Sequence, residues 1–262
     1  MTDTVTERRQ DIFRGVGVAL TTLFTSDLEV DYDATARHAQ RLADAGVRAI
    51  VVCGTTGEPE TLTEDEMLKL LEAVLDAVPP TTPVVMGASL PTAHQAVRFI
   101  ERVGSHPVAA IIARSPRGVA HPVTFYRQLA EAAPDTPLLA YHFPAAAPPG
   151  IPVTALPDLP VAGIKDSSGE ADRLLATLSQ FTGSVYVGSA TMLLLAGHLG
   201  CAGAILQLAN ARPELCTSAF DGSATAQREL FAVHLQASAR FPHGIKQLMA
   251  DRFGTSIATR LG

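Results

Sequence analysis

Lysine is scarce in this 262-residue chain: Lys69, Lys165 and Lys246 stand against seventeen arginines. The three cysteines, Cys53, Cys201 and Cys216, are isolated. With no C-x-x-C pair and an odd count they build neither a disulfide framework nor a zinc pattern, and their apolar neighbours suit buried free thiols in a reducing compartment. The eight histidines include no H-x-x-x-H or H-E-x-x-H spacing, so none marks a metal site. His38, His94, His106, His198, His234 and His243 read as ordinary surface or helix residues. No apolar run approaches the ~20 residues of a membrane helix. The stretch 1–14 is polar and lacks the apolar core of a secretory signal. There is no basic block, and the net charge is −6, which argues against nucleic acid or an anionic membrane as partner. At 47% apolar and 18% charged residues the chain is not disordered. The expectation is a cytoplasmic protein able to bury a sizeable core.

Short apolar runs alternate with longer amphipathic segments. Strands are expected at 15–20, 48–53, 83–87, 108–113, 137–141, 161–165, 184–188 and 203–207. Helices are expected at 33–45, 63–78, 92–103, 122–133, 170–180, 191–199, 224–240 and 244–253, with at best a short proline-rich helix at 153–159. Thr63 followed by Glu66 is a capping-box start. Strands that read as continuous apolar runs are buried on both faces, and regular βα alternation makes them parallel. Eight such units in a chain of this length predict an α/β protein with a closed (β/α)8 barrel, the TIM-barrel architecture. An open doubly wound sheet would show a G-x-G-x-x-G turn after the first strand, and that turn is missing. No linker divides 1–262, which is read as one domain with 224–262 as a short C-terminal helical extension.

In such a barrel the chemistry sits at the C-terminal strand ends. Lys165 closes the apolar run Val161-Ala162-Gly163-Ile164. Burial disfavours the charged form of a lysine, and a neutral amine attacks a ketone to form a Schiff base. The competing reading pairs Lys165 with Asp166 or another acid, but adjacent strand residues face opposite ways. Gly54-Thr55-Thr56-Gly57 is a tight turn whose N–H and hydroxyl groups suit a small carboxylate, or it is simply a turn. Tyr141 ends its strand with a hydroxyl placed for proton transfer, or with one packed on a backbone partner. Arg114 either binds an acidic group of a second substrate or lies on the surface. His142 faces away from the mouth by alternation. Lys246 repeats Gly-Ile-Lys within a C-terminal helix and is read as structural.

Gly54-Thr55-Thr56-Gly57-Glu58, Tyr141-x-x-Pro144 and Gly163-Ile164-Lys165-Asp166-Ser167-Ser168-Gly169 occur in one order and spacing. Together they resemble the dihydrodipicolinate synthase / N-acetylneuraminate lyase family, Schiff-base pyruvate aldolases and lyases on a (β/α)8 barrel. The likeness runs from about 15 to 210 and includes the run 200–210. The resemblance implies that Lys165 forms a Schiff base with pyruvate, that Thr55 and Thr56 hold its carboxylate, and that Tyr141 shuttles protons with Thr55 in its relay. Gly188 and Ile205 would line the pocket. It also implies a homo-oligomer, tetramer or dimer, with no metal or organic cofactor.

Four differences stand out. The synthase's tyrosine pair after strand four is replaced by Arg114-Ser115-Pro116-Arg117-Gly118. Its arginine two residues after the Y-x-x-P proline is Ala146. The sialic acid lyase's acidic pair after the strand-seven glycine is Ala190 and Thr191. The family's asparagine after the tyrosine is His142, followed by Phe143. The expected function is therefore a class I aldolase or lyase joining or cleaving pyruvate and an aldehyde, as 2-keto-3-deoxy sugar acid aldolases do. The alternatives are 4-hydroxy-tetrahydrodipicolinate synthase, a 2-oxo acid dehydratase and a non-catalytic 2-oxo acid sensor.

Overall fold

The computed structural model of the chain describes residues 11–119 and 121–262. Of the polar stretch 1–14, residues 1–10 therefore lie outside the described residues. Eight parallel strands close a barrel in chain order: β1 (Gly15–Ala19), β2 (Ile50–Val52), β3 (Val84–Gly87), β4 (Ala110–Arg114), β5 (Leu138–His142), β6 (Gly163–Asp166), β7 (Ser184–Val187) and β8 (Gly203–Leu206). β1 pairs with both β2 and β8, which completes the closure. Around it lie α1 (Tyr32–Asp44), α2 (Glu64–Ala77), α3 (Ala93–Val103), α4 (Pro122–Ala132), α5 (Ala171–Gln180), α6 (Leu193–His198) and α7 (Pro213–Phe220). Two further helices, α8 (Ala224–Ala239) and α9 (His243–Phe253), follow.

Alternation along the strands makes two cores. Ala110, Ile112, Leu139, Tyr141, Tyr186 and Ile205 point inward with Phe13, whose ring stacks 4.5 Å from that of Tyr186 and closes the N-terminal end. The other parity, with residues such as Ile50, Met86, Ile111 and Ile164, packs against the helices. Thr63 caps α2 through the expected box: its hydroxyl accepts from Glu66 N–H at 3.1 Å, and Glu66 accepts from Thr63 N–H at 2.8 Å.

Three expectations are corrected. The segment between β8 and residue 224 contains α7, the helix that follows the eighth strand, which starts on Pro213 in its first turn. Its eight residues are too few to set up a clear helical period. The helix expected at 191–199 is a 3-10 turn, Ala190–Met192, followed by the short α6. His38 is 1% exposed rather than a surface residue. It shares the inner face of α1 with Thr35 and Leu42, one turn away on either side, and with its neighbour Ala39. The cysteines are buried free thiols as expected, and burial pushes Cys201 up to about 11 and Cys216 to about 12. Among the described residues no helix is long and apolar enough to cross a membrane.

Burial, reinforced by Arg41 and opposed by a hydrogen bond with Asn210, lowers His38 to about 4. Above pH ~6.5 both folded and unfolded states hold this ring neutral. As pH falls from there towards about 4, only the unfolded chain takes up the proton, so stability falls. The urea midpoint is expected to drop between about pH 7 and about pH 4.5, and His38→Gln to reduce the proton uptake on unfolding by up to about one.

Candidate active site

Lys165 is the third residue of β6, and its register partners are Tyr141 on β5 and Tyr186 on β7. One strand further, Arg114 is level with Tyr141. Lys165 is 6% exposed, and its Nζ lies 4.5 Å from the centre of the Tyr141 ring. Asp166 turns the other way, where Arg173 Nε donates to it at 2.6 Å and Ser168 N–H at 2.9 Å. The expected alternation thus separates the amine from the neighbouring acid.

Space for the amine comes from Gly188. A Cβ there would collide with Ser167 Oγ and stand 3.0 Å from Lys165 Cε. The backbone of the next strand is therefore bare where the lysine passes.

Tyr141 is buried, and burial alone would push its phenol up. Lys165, hydrogen bonds with Ser167 and Thr55, and the charge of Arg114 together outweigh that, and the phenol lies below its usual range. Behind it, Tyr126 of α4 receives the Tyr141 N–H at 3.3 Å and donates to Ala113 O at 2.7 Å, pinning the ends of β4 and β5. Phe143 stacks on the open side of Tyr141, 5.9 Å between ring centres.

The turn after β2 is a 3-10 turn, Thr55–Gly57. Two non-glycine residues in the left-handed region flank it, Cys53 at φ 54° and Glu58 at φ 55°. Thr22 Oγ1 donates to Gly57 O at 2.7 Å. Glu58 is fully buried and forms an ion pair of 2.5 Å with the equally buried Lys246 of α9. Its other oxygen accepts from Thr259 Oγ1 at 2.8 Å, Arg260 N–H at 2.9 Å and Leu261 N–H at 3.0 Å. Burial lowers Lys246, against the pull of Glu58. Lys246 is structural, as its sequence context suggested.

These groups border a cavity of about 340 Å3 at the C-terminal strand ends. Thr55, Thr56, Tyr141, Lys165, Gly188 and Ile205 line it as expected. Gly54 and Arg114 do not. Gly54 enters the turn in extended conformation and packs towards Val51. Arg114 acts on Tyr141 by charge from the end of β4. His142 lies outside as well: its Nδ1 accepts from Ile151 N–H at 2.9 Å, and burial, with Arg173, lowers it to about 4.

Sequence reasoning missed Ser167, Phe143 and Gln207 at the strand ends, and His234, Ser238 and Phe241 on and after α8. Ser167 stands within the lysine motif, so it had a signal. The α8 residues had none, because their place depends on where an extra helix packs beside the mouth. Among the described residues no group of three or more His, Cys, Asp or Glu is arranged to hold a metal. A second cavity of about 380 Å3 lies at the opposite barrel end, beside the Asp11–Arg14 pair and the Cys201 thiol.

The model of the dihydrodipicolinate synthetase family matches residues 12–258. The chain is 34% identical to the 4-hydroxy-tetrahydrodipicolinate synthase of Salinibacter ruber, over 86% of this chain and 80% of that protein. It is 32% identical to an uncharacterized DapA-like lyase of Halobacterium salinarum, over 82% of this chain and 73% of that protein. The fold matches that of Sulfolobus sulfataricus 2-keto-3-deoxygluconate aldolase, solved in complex with D-KDPG, with a TM-score of 0.85 at 21% identity, covering 93% and 87% of the two chains.

Three substitutions test this arrangement. Gly188→Ala is expected to displace Lys165 Cε and Ser167 while leaving the barrel folded, which a crystal structure of the variant would reveal. Lys246→Met leaves Glu58 buried without its cation and is expected to cost about 3–5 kcal/mol in urea unfolding; Glu58→Gln added to it should recover part of that loss.

Proposed function

The chain belongs to the dihydrodipicolinate synthetase family, and from that premise we propose that this carbon–carbon lyase works through a Schiff base on Lys165. The observation that carries the reading is the Lys165 amine, buried at a strand end, 4.5 Å from the Tyr141 ring. Lys165 Nζ attacks C2 of pyruvate through its lone pair, and the proton it sheds passes to the carbonyl oxygen. The carbinolamine loses water to give an iminium, with the proton for the departing hydroxide supplied by Tyr141. Thr55 and Ser167, hydrogen-bonded to that phenol, complete the relay. Thr55 and Thr56 receive the pyruvate carboxylate. The iminium draws off electrons as the Tyr141 oxygen, which has just given up its proton, takes one from C3, forming an enamine. The enamine carbon then attacks the carbonyl carbon of an aldehyde, whose oxygen takes that proton back from Tyr141. Water releases the product from Lys165. Cleavage runs these steps in reverse.

A second reading, 4-hydroxy-tetrahydrodipicolinate synthase, draws on the similarity to the Salinibacter enzyme. Ala146 and the aromatic-free stretch 114–118 weigh against it, since they leave aspartate semialdehyde without the grip that the synthase provides. The same iminium would also serve a dehydratase acting on a 2-oxo acid. We place the protein in the cytoplasm as a single-domain homo-oligomer, which its three buried free thiols suit.

Borohydride reduction with pyruvate is expected to trap a covalent adduct on Lys165, located by peptide mass mapping. Lys165→Ala should give no adduct and lose at least about a thousandfold in kcat, and Tyr141→Phe should lose about a hundredfold or more. Full turnover by Lys165→Ala would rule the mechanism out. Efficient condensation with aspartate semialdehyde would favour the synthase.

A further inference from the structure

We propose that His234 and Ser238 of α8 and Phe241 after it build the second-substrate subsite together with the strand ends, and that this subsite selects an uncharged, apolar aldehyde, best an aromatic one. The inference rests on the Schiff-base reading of Lys165. In that reading Thr55, Thr56 and the iminium already answer the pyruvate carboxylate. The rest of the cavity wall is then what the aldehyde meets.

That wall is apolar in Phe143, Leu208, Phe241 and Ala190. Phe143 continues a stack that begins at Lys165 Nζ and passes through the Tyr141 ring, and so presents a flat face to an incoming ring. Phe241, 42% exposed, stands at the mouth, where an apolar ligand would cover it. The polar lining groups on this side, Ser189, Gln207, Ser238 and His234, carry no formal charge at neutral pH. Burial lowers His234 below its ordinary value, so its ring is neutral at pH 7 and supplies no cation. Ser238 Oγ lies 3.5 Å from His234 Nδ1, one turn along α8, which leaves Nε2 for a ligand oxygen.

A carboxylate or phosphate on the aldehyde would therefore be taken out of water where, among the described residues, the cavity wall offers no cation besides the iminium, at a cost of several kcal/mol. Arg114, level with Tyr141 on the other side from Lys165, does not line the cavity. A neutral, apolar aldehyde incurs no such cost and gains from covering Phe241 and Leu208. His234 can hold its carbonyl oxygen, or the hydroxyl that forms there, as a positioning residue.

The test compares benzaldehyde, D-glyceraldehyde and succinic semialdehyde as partners for pyruvate in the full-length protein, with borohydride trapping of pyruvate on Lys165 run alongside. Benzaldehyde is expected to show a kcat/KM at least about tenfold above the other two. Phe241→Ala, at an exposed position where folding is not at risk, should raise the benzaldehyde KM by about tenfold. His234→Leu should lower kcat/KM for benzaldehyde by about tenfold or more, and His234→Asn, which keeps a hydrogen-bonding group, should restore part of it. If trapping succeeds but succinic semialdehyde or D-glyceraldehyde matches benzaldehyde, the subsite inference is overturned and the Schiff base stands. If Phe241→Ala and His234→Leu leave the benzaldehyde constants unchanged, it is overturned as well. If pyruvate leaves no adduct on Lys165, both readings fall.

Discussion

The ion pair between Glu58 and Lys246 is the constraint on which the arrangement of this molecule turns. Both side chains are completely buried. Burying two charges costs several kcal/mol per ion, and their attraction repays it only when further hydrogen bonds satisfy the remaining atoms. Here they do. Glu58 takes three more donors from the tail at Thr259, Arg260 and Leu261, and Lys246 donates to Ala258 O at 2.6 Å. Arg260 carries the tie onward to Glu66 at 2.8 Å and to Leu28 O at 2.7 Å. The turn that holds Thr55 and Thr56 is thereby fixed at one end by β2 and at the other by the last helix. The left-handed backbone at Glu58 is a strain that this network holds in place.

Within the barrel the chemistry depends on three strands keeping register. Arg114, Tyr141 and Lys165 stand in one row, and the phenol feels a cation on either side. Strand alternation sends Asp166 to Arg173, so the lysine faces the phenol without a carboxylate to neutralise it. Gly188, the residue after β7, completes the arrangement by taking up no volume. The placements of Arg114, Tyr141, Lys165 and Asp166 follow from the two-residue period of a strand, not from loop conformation. A site built on strand ends inherits the rigidity of the sheet.

Much of this was legible in the sequence. The apolar strand runs announced a sheet buried on both faces, and their number announced closure. Lys165 stood out because lysine is rare here and this one ends such a run. The Thr55–Thr56 turn and Tyr141 followed from motifs in fixed order, and Gly188 from the family resemblance those motifs carry. What escaped was whatever depended on long-range placement. α7 was too short to show a period. His38 looked like any helix histidine until the packing of α1 turned it inward. Arg114 was assigned to the pocket from its strand-end position, yet it acts on Tyr141 through charge without lining the cavity. His234 and Phe241 carry no local signal at all, because nothing within α8 says that it borders the barrel mouth.

This placement divides part of the labour of the molecule along its chain. The nucleophile, the phenol and the hydroxyl turn all belong to the barrel, whereas the wall facing a second reactant is shared between strand-end residues such as Phe143 and Leu208 and three residues after 224. Part of the selectivity is then encoded in a stretch of gene separate from the chemistry. Drift in the terminal helices can explore new reactants while the bond-making apparatus stays under its own selection. A chimaera that keeps this barrel and receives another family member's terminal helices would inherit the old reaction with a new preference, provided that the graft retains a lysine for Glu58.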